Sequence, residues 1–447
     1  MTPSLRHHCG VFGISGHPEA SRITVAGLHA LQHRGEESAG VWTEHGVGRK
    51  GFGLVADVFS EPEHARFSCE SAIGHVRYAT MGGEGEEHIQ PLYEKGVALA
   101  HNGTLTNVGT LREQTGYEGA GDTGAILHLY EEGTGVEGLI KALSRVEGAW
   151  SIVALVDGCL VVGRDPWGFR PLVLGDVRVD EADPFRVAVV AASETTALDY
   201  VGAKFFAEVH PGEVRVFRDG KEVRGARGGS FAHLDYQPCS QCIFEQVYFA
   251  RPDSYVFDQS VHDFREKSGE ALAHMRPVST GADVVIAVPD SGVPAAVGYA
   301  RKSGIPFGVG FVRSHYVGRT FIAPSGRDAM VRRKLSPIPS VVAGKRVVVI
   351  DDSLVRGTTS RSIVAMLRDA GAREVHIRIA SPPVTGPCYY GIDTPSRAEL
   401  LATGRDVESM RKFLCCDSLA FLPVEGFPET AGYCTACFTG EYPLDVK

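Results

Sequence analysis

The sequence predicts an α/β protein with two domains, an antiparallel-rich first domain and a doubly wound second domain. Up to about residue 230 the chain is rich in short apolar runs and glycine. From about residue 239, β-branched runs alternate with helix-like segments, a pattern typical of a parallel sheet. Between these parts the polar stretch RDGKEVRGARGGS (218–230) predicts a hairpin followed by a linker. A length of 447 residues is enough for roughly two or three domains.

The first part contains six predicted strands and three predicted helices. The strands are AIGHVRYAT (72–80), GVALAHNG (96–103), WSIVALVDG (150–158), CLVVGRD (159–165), PLVLG (171–175) and VAVVAAS (187–193). The helices lie near 20–33, 123–132 and 136–146. In the first of them Val25, Leu28 and Leu31 recur three residues apart, as on a buried helix face.

The second part contains four predicted strands, separated in places by helices. The strands are DVVIAVPDSG (283–292), PFGVGFV (306–312), KRVVVIDDS (345–353) and VHIRIASPP (375–383). The helices lie near 293–303 and 358–370.

Composition excludes several classes of protein. The chain is 43% hydrophobic and 22% charged, as expected of a globular protein, and its net charge of −9 argues against non-specific nucleic-acid binding. No apolar run approaches the roughly 18 residues of a membrane span. Arg6, His7 and His8 stand where a signal peptide would need an apolar stretch. We therefore expect a cytoplasmic protein.

Cys9 follows this short polar leader directly and begins the run CGVFGI. Three interpretations are open: a buried core cysteine, a lipid-modified cysteine, or a nucleophile that becomes the N-terminus once residues 1–8 are removed. The lack of an apolar signal removes the lipoprotein interpretation.

The other cysteines are unevenly distributed. Seven of the ten lie in the last 209 residues: Cys239, Cys242, Cys388, Cys415, Cys416, Cys434 and Cys437. Disulfides are unusual in the cytosol, so this clustering predicts a metal site.

The stretch VVVIDDSLVRGTTSRSIVAML (347–367) predicts an anion site. A buried strand ends in Asp351 and Asp352, and Gly357 precedes hydroxyl residues that open a helix. Backbone N–H groups at a helix N-terminus bind phosphate, and paired carboxylates suit ribose hydroxyls or Mg²⁺. The plainer alternative is an ordinary helix cap after an acidic turn.

The string IDDSLVRGTTS resembles the phosphoribosylpyrophosphate (PRPP) loop of type I phosphoribosyltransferases. The resemblance implies that residues 353–359 hold the 5′-phosphate, with Asp351 and Asp352 on ribose and Mg²⁺. The implied loop contacts are Ser353, Arg356, Gly357, Thr358 and Thr359. VPDSG (288–292) resembles the pyrophosphate turn of that family, which implies a PRPP contact at Asp290 and a Mg²⁺ or pyrophosphate contact at Ser291.

The basic segment RSHYVGRTFIAPSGRDAMVRRKL (313–335) separates these two turns. A solvated charge run is the usual interpretation. Its position favours a lid that closes on pyrophosphate through Arg319, Arg333 and Lys334.

Five motifs of the first part occur in order: CGVFGI, LQHRGEESAG (31–40), GHVRYAT (74–80), AHNGTLTN (100–107) and GDT (121–123). Together they resemble the N-terminal-nucleophile class of glutamine amidotransferase domain, an α+β sandwich. The resemblance implies that Cys9 attacks the glutamine amide, with its own α-amino group as base. Asn102 and Gly103 would form the oxyanion hole. Arg77 would bind the α-carboxylate, Asp122 the α-ammonium group, and Arg34 would shape the glutamine pocket.

With both parts together, the sequence resembles the glutamine phosphoribosylpyrophosphate amidotransferase family. This implies a leader at 1–8 that is removed, a glutaminase domain at 9–230 and a phosphoribosyltransferase domain at 239–447. It also implies that ammonia made at Cys9 passes internally to PRPP to give 5-phosphoribosylamine, the first committed step of purine synthesis. A homo-oligomer, either a dimer or a tetramer, inhibited by purine nucleotides is implied as well.

The leader-bearing branch of that family holds a [4Fe–4S] cluster with four thiolates. The matching positions are Cys242, Cys388, Cys434 and Cys437. Four thiolates also suit zinc, which stays open. Cys239 forms a CxxC pair with Cys242 and is a competing ligand.

Two other functions remain open. Glu36 stands where relatives often have Gln, and Gly124 where an acid is common. These departures allow a paralogue that aminates another activated sugar, against which the intact PRPP loop argues. A nucleotide-binding regulatory protein with a degenerate site is the third hypothesis, against which Cys9, Asn102 and the two aspartates argue.

Overall fold

The structure is a computed structural model. It describes residues 9–61, 66–78, 85–119, 121–180, 182–183, 185–225, 231–235, 237–314, 335–392, 394 and 396–445. The predicted leader at 1–8 lies outside these residues. So do Arg319, Arg333 and Lys334 of the predicted lid.

The first part of the chain forms fourteen strands and six helices within the described residues. The strands are β1 Cys9–Ser15, β2 Ser38–Thr43, β3 Gly48–Phe52, β4 Ser71–Arg77, β5 Leu92–Glu94, β6 Val97–Leu105, β7 Gly148–Val156, β8 Cys159–Arg164, β9 Val173–Arg178, β10 Val187–Ala192, β11 Lys204–Glu208, β12 Glu213–Arg218, β13 Lys221–Val223 and β14 Ala232–His233. The helices are α1 Ala20–Ala30, α2 Val55–Val58, α3 Val108–Thr115, α4 Asp122–Leu129, α5 Gly135–Leu143 and α6 Thr195–Tyr200.

These strands make two antiparallel sheets. One has the order β11-β9-β10-β1-β4-β2-β3, and the other has the order β13-β12-β8-β7-β6-β5 with β14 also paired to β12. Apolar side chains alternate along the strands, as the two-residue period of a strand requires. Val11 of β1 and Ala100 of β6 belong to the core between the sheets, whereas Phe12 of β1 and Leu99 of β6 belong to the outer cores under the helices. The predicted α+β sandwich is confirmed.

The second part forms ten strands and six helices within the described residues. The strands are β15 Gln241–Cys242, β16 Tyr255–Val256, β17 Gln259–Ser260, β18 Val284–Ala287, β19 Phe311–Arg313, β20 Leu335–Pro337, β21 Arg346–Asp351, β22 Glu374–Ile379, β23 Ser418–Phe421 and β24 Tyr433–Cys434. The helices are α7 Val261–Met275, α8 Val293–Ser303, α9 Pro339–Val342, α10 Thr358–Asp369, α11 Val407–Leu414 and α12 Ala436–Thr439. Residues Glu245–Phe249 form a π-helical turn.

The central sheet of this part is parallel, in the order β18-β21-β22-β23. Its strands bury both faces. Val347 and Val349 pack with α10 on one side, and Val348 and Ile350 pack with α7 and α8 on the other. The predicted doubly wound domain is therefore confirmed. Because β18 and β21 are parallel neighbours, their carboxyl ends lie side by side.

The two parts meet directly. The backbone N–H of Ser240 donates to the carbonyl of Trp167, and that of Cys242 donates to the carbonyl of Phe169. β15 pairs in parallel with β24, which sets Cys242 opposite Cys434. The domain boundaries at 230 and 239 stay a prediction, and β14 lies between them. No described helix has the length and apolar character that crossing a membrane requires.

Candidate functional site

Cys9 and Asn102 face each other from the two sheets. Cys9 has the same parity along β1 as Val11, and Asn102 has the same parity along β6 as Ala98 and Ala100. Val11 and both alanines point into the core between the sheets, so Cys9 and Asn102 point into the same layer. Both are almost completely buried.

The environment of Cys9 keeps its thiol protonated. Burial raises the pKa of Cys9 to about 12, Arg77 and Arg34 act in the opposite direction, and Asp122 raises it further. A buried thiol of this kind needs a nearby base before it can attack. The predicted α-amino group of Cys9 would be such a base.

The predicted oxyanion hole consists of Asn102 and Gly103 of β6. Nδ2 of Asn102 is buried and makes no hydrogen bond to any part of the chain that the structure describes. Gly103 has a φ of +143°, and a Cβ there would lie 2.0 Å from the carbonyl oxygen of Ala149. Only glycine fits this position. The unpaired Nδ2 of Asn102 thus stands beside a glycine that has a positive φ and keeps its place in the β6–β7 register.

Arg77 and Asp122 line one pocket of about 410 Å³. Arg77 forms an ion pair with Glu37 at 3.3 Å. Asp122 begins α4, where its carboxylate accepts from the N–H groups of Thr123 at 2.8 Å and Leu105 at 3.2 Å. The pocket therefore offers a cation and an anion at fixed places, as the two charged groups of an amino acid require.

A polar network that includes Gln90 and Thr123 of the pocket wall was not predicted. Nε2 of Gln90 donates to Oγ1 of Thr123 at 3.0 Å, and the N–H of His101 donates to Oε1 of Gln90 at 2.7 Å. Nδ1 of His101 lies 3.2 Å from the same Thr123 hydroxyl. These contacts fix the backbone that precedes Asn102. The buried polar residues His101 and Gln90 in otherwise apolar runs were the available signal.

Gly124 leaves room for Tyr117. A Cβ at Gly124 would lie 2.3 Å from the Tyr117 hydroxyl, which donates to the Gly121 carbonyl at 2.6 Å. The tyrosine thus occupies the space into which a side chain at 124 would project, so the absence of an acid there has a local structural reason.

Arg34 is fully buried and lies behind the nucleophile. Its Nε donates to the carbonyl of Cys9 at 3.0 Å, and its Nη atoms pair with Glu194 and Glu245. It does not line the pocket that Arg77 and Asp122 share, as that pocket is described. The geometry supports a role in positioning Cys9, and a direct contact with glutamine stays a prediction.

The predicted phosphoribosyl site lies at the ends of β18 and β21. The hydroxyl of Ser291 donates to Oδ2 of Asp352, and that of Ser353 donates to Oδ1 at 2.6 Å. The N–H of Asp352 donates to Oδ1 of Asp351 at 3.0 Å. Burial raises the pKa of both carboxyl groups. The charge of Asp352 raises the pKa of Asp351 further, whereas the hydrogen bonds from Ser291 and Ser353 act against the rise at Asp352. A bound cation would favour their charged forms.

The loop that follows opens α10 as predicted. Gly357 has a φ of +75° and lies at the N-cap of the helix, so Thr358 and Thr359 stand in its first turn, where N–H groups point outward. Arg356 pairs with Glu399 at 3.4 Å. Asp290 pairs with Arg313. The arrangement is a helix N-terminus, which is the kind of site that binds anions, beside an acidic pair.

Four cysteines line one small space. Cys242, Cys388, Cys434 and Cys437 line a cavity of about 20 Å³ together with aromatic and apolar groups that include Phe169, Phe244, Tyr390, Ile392 and Tyr442. Cys239, Cys415 and Cys416 are not among the residues that line it. Among the described residues, no group of three or more His, Cys, Asp or Glu side chains is arranged to hold a metal ion.

The comparisons with known proteins match both parts of the chain. Residues 75–199 match a family described as a glutamine amidotransferase domain, and residues 262–381 match one described as a phosphoribosyl transferase domain. The chain is 48% identical over 465 residues to a protein of Glycine max named "Amidophosphoribosyltransferase, chloroplastic". The aligned region covers 99% of this chain and 79% of that protein. It is 44% identical over 469 residues to the amidophosphoribosyltransferase of Bacillus subtilis (strain 168), which covers 99% and 95%.

The chain belongs to the amidophosphoribosyltransferase family.

Two solved structures share the fold of this amidophosphoribosyltransferase chain along nearly its whole length. One is described as the allosteric regulatory enzyme of purine biosynthesis, with a TM-score of 0.88, 43% identity and coverage of 98% of this chain and 97% of that one. The other is the glutamine PRPP amidotransferase from B. subtilis complexed with ADP and GMP, with a TM-score of 0.87, 43% identity and coverage of 98% of both chains. The predicted family and the two-part α/β fold are confirmed.

Proposed function

We infer that this protein is an enzyme that uses glutamine to aminate PRPP, forming 5-phosphoribosylamine for purine synthesis. The observation that carries this inference is the presence of both groups of predicted site residues on one chain that belongs to the amidophosphoribosyltransferase family. Cys9 lies opposite Arg77 in the register of β1 and β4. Arg77 and Asp122 line one pocket, and Cys9 and Asn102 are not among the residues described as lining it. Asp351, Asp352 and Ser291 stand beside the first turn of α10.

In the first site, glutamine lies with its α-carboxylate on Arg77 and its α-ammonium group on Asp122. The Cys9 sulfur attacks the side-chain amide carbon, and the thiol proton passes to the α-amino group of Cys9 and then to the leaving nitrogen. Nδ2 of Asn102 and the N–H of Gly103 stabilise the oxyanion, a contribution of several kcal/mol, roughly. Ammonia leaves, and water then hydrolyses the thioester to release glutamate.

In the second site, the first turn of α10 and residues 353–359 hold the 5′-phosphate of PRPP. Ammonia attacks C1 with inversion, the bond from C1 to the pyrophosphate oxygen breaks, and pyrophosphate leaves. Mg²⁺ held by Asp351, Asp352 and Ser291 would neutralise charge on the pyrophosphate and the ribose oxygens. Arg319, Arg333 and Lys334 are proposed to close over the pyrophosphate.

Internal passage of ammonia is supported by a direct contact between the two parts. A Cβ at Gly391 would lie 3.1 Å from Cα of Gly103, so the second part of the chain reaches the oxyanion hole itself. Ammonia released there meets protein from the second part, and exclusion of water would limit its protonation.

We also propose that residues 1–8 are removed, because Cys9 needs a free α-amino group to act as described. The N-terminal nucleophile mechanism requires a mature chain whose intact mass begins at Cys9. Full glutaminase activity in protein that retains residues 1–8 would rule out this mechanism.

The cysteine-lined space is proposed to hold a [4Fe–4S] cluster through Cys242, Cys388, Cys434 and Cys437. Four cysteine thiolates are the ligand set of such a cluster, which would serve here as a structural link. Burial raises the pKa of Cys242 to about 12 and raises the pKa of Cys434 and Cys437, so cluster binding is expected to release protons. Zinc suits four thiolates as well and remains the alternative occupant of this space.

Anaerobically prepared protein decides between the two groups. We expect about four iron and four sulfide per chain, as the [4Fe–4S] composition requires. Zinc without iron would reject the cluster.

Regulation, assembly and location complete the proposal. One similar solved structure contains ADP and GMP, which supports inhibition by purine nucleotides. A homodimer or homotetramer and a cytoplasmic location rest on the sequence alone, and several of the similar plant proteins are named as chloroplastic.

The decisive experiment measures glutamate release from glutamine with Mg²⁺, in the presence and absence of PRPP. Stimulation by PRPP, with 5-phosphoribosylamine as product, supports both sites and their coupling. Glutaminase activity that no PRPP concentration stimulates, in protein that begins at Cys9, would overturn PRPP as the acceptor and return the alternative of another activated sugar. Nucleotide binding without glutamate release would support a regulatory protein instead.

A further inference from the structure

A buried chain of hydrogen bonds begins at the backbone of the nucleophile. Nε of Arg34 donates to the carbonyl of Cys9 at 3.0 Å. The two Nη atoms of Arg34 donate to the two carboxylate oxygens of Glu245, at 2.7 and 3.1 Å. This fork-to-fork geometry fixes the plane of the guanidinium as well as its position. Glu245 is 211 residues away in sequence and belongs to the second part of the chain.

Glu245 in turn holds a second arginine. Nη1 of Arg170 donates to Oε1 of Glu245 at 3.0 Å, while its Nε and Nη2 both donate to the carbonyl of Tyr390, at 3.1 and 3.0 Å. Arg34, Arg170 and Glu245 are each at most 1% exposed. Water therefore cannot replace any of these contacts without opening the interface.

The chain ends at the cysteine-lined space. The N–H groups of Tyr390 and Ile392 donate to Sγ of Cys388 at 3.3 and 3.4 Å. Glu245 follows Cys242 by three residues, and its backbone N–H donates a hydrogen bond to the Cys242 thiol, which lowers the pKa of that thiol. The segment Cys388–Gly391 thus contains both a cysteine that lines the space and the Tyr390 carbonyl that accepts from Arg170.

The same segment touches the oxyanion hole by a second route. Gly391 has a φ of +99°, and a Cβ there would lie 3.1 Å from Cα of Gly103 and 3.0 Å from Nη2 of Arg170. The backbone of Gly391 is therefore packed between the arginine and the residue that carries an oxyanion donor. Two independent contacts connect this segment with the glutaminase site.

We propose that Glu245 and Arg170 are positioning residues of the glutaminase site, which hold Cys9 through Arg34 and anchor it to the segment Cys388–Gly391. The proposal rests on the proposed function, since it concerns how the same nucleophile is aligned. None of these side chains touches glutamine. Their effect is the angle and distance at which the Cys9 sulfur meets the amide carbon, to which the rate is sensitive.

The test compares Glu245→Gln with a matched control, Glu208→Gln. Glu208 is also a buried carboxylate beside a buried arginine, with its oxygen 3.6 Å from Nη1 of Arg164, but it has no contact with Arg34 or Cys9 in the structure as described. We expect Glu245→Gln to lower kcat for glutamine hydrolysis about 10- to 100-fold with little change in the glutamine KM, as a small misplacement of reacting atoms does. Glu208→Gln is expected to lower the melting temperature comparably and leave kcat within about two-fold, because well-separated sites act independently.

A second readout does not depend on turnover. A chloroketone analogue of glutamine alkylates Cys9 only when the thiol is aligned with the bound carbon. Its rate constant should fall with kcat in Glu245→Gln and stay unchanged in Glu208→Gln. Ammonia-dependent amination of PRPP should persist in both variants, because the second site does not use Cys9.

Arg170→Lys and Gly391→Ala keep the test decisive if Glu245→Gln fails to fold. Lysine keeps the charge and loses the paired contacts with the Tyr390 carbonyl, and a methyl at 391 presses on Gly103. Both should lower kcat and the alkylation rate constant without raising KM. Values within two-fold of the control in every folded variant would overturn the proposal, whereas a wild-type protein that releases no glutamate would overturn the proposed function instead.

Discussion

Arg77 of β4 lies directly opposite Cys9 of β1 in the antiparallel register. Side chains opposite each other in such a pair project from the same face of the sheet. The guanidinium and the thiol therefore share the layer between the two sheets, and one pair of opposite residues sets the distance between the proposed nucleophile and the proposed glutamine anchor.

Replacing Arg77 by lysine should weaken glutamine binding. We expect the glutamine KM to rise about 10- to 100-fold, because a charge-assisted paired contact of roughly 1.5–3 kcal/mol is lost. Initial rates over a range of glutamine concentrations measure this, and ammonia-dependent activity should be unchanged. Arg49→Lys, at an exposed position of the same sheet, is the control. An unchanged KM in Arg77→Lys would remove Arg77 from the glutamine site.

Asn102→Ala should lower kcat rather than affinity. Its Nδ2 is a buried donor without a partner in the described chain, so it is available to the oxyanion. Removing one such donor costs about 10²- to 10³-fold in kcat. Asn107→Ala serves as the comparison, since its Nδ2 is already bonded to the Arg145 carbonyl at 3.0 Å. Equal kcat values in the two variants would contradict the assignment.

Asp352→Asn should abolish use of PRPP while sparing basal glutamine hydrolysis. Its carboxylate is buried and accepts from Ser291 and Ser353, so it holds the centre of the predicted Mg²⁺ site. We expect PRPP amination to fall about 100-fold or more, with glutamine or with ammonia, since metal clamps contribute several kcal/mol. Chelation of Mg²⁺ should do the same to the wild type. Asp283→Asn, which removes an ion pair with Arg346 at 2.9 Å, should leave amination intact.

Acid stability should depend on Glu194. Burial raises its pKa, but His33 and Arg34 outweigh burial and hold the pKa well below its usual range. The stabilisation is complete above the unfolded glutamate pKa of about 4.3 and is lost as pH falls below it toward the native pKa. Between pH 6 and 3, the urea midpoint should therefore fall more steeply in wild type than in Glu194→Gln.

Glu208 should change stability with pH in the direction opposite to Glu194. Burial raises the pKa of Glu208, so its carboxyl favours folding most at low pH and less as pH rises through that raised value. The difference in stability between wild type and Glu208→Gln should therefore be smallest at high pH. Parallel pH profiles for wild type and both variants would show that neither carboxyl group is perturbed as described.

The local features of the site were predictable from sequence. The strand that carries Asn102, the strand end at Asp351 and the helix that begins at Thr358 each depend on a few neighbouring residues, and the structure has them within a few positions of the prediction. Alternating apolar residues give a strand, and glycine before hydroxyl residues starts a helix. The motif order then indicated the family.

Contacts between distant residues were not predictable in this way. Arg34 binds Glu194 and Glu245, which are 160 and 211 residues away, and no local pattern marks that partnership. Glu245 lies in a π-helical turn and Arg170 in an irregular loop, so neither has a periodic signal. The arrangement that places them is tertiary, and sequence motifs identify the reacting groups without showing what holds them.

The ionic cluster also constrains how the two catalytic modules are inherited. Arg34 draws one carboxylate from each part of the chain, so a chain cut between them leaves Arg34 short of Glu245 in one piece and Glu245 short of Arg34 and Arg170 in the other. If a foreign second module covered the same interface without an equivalent of Glu245, Arg34 and Arg170 would stay buried with too little negative charge. An uncompensated buried charge costs about 3–5 kcal/mol, a large share of the roughly 5–15 kcal/mol that stabilises a folded domain. Exchange of one module for a foreign one is thus penalised unless the new module supplies a carboxylate at this place.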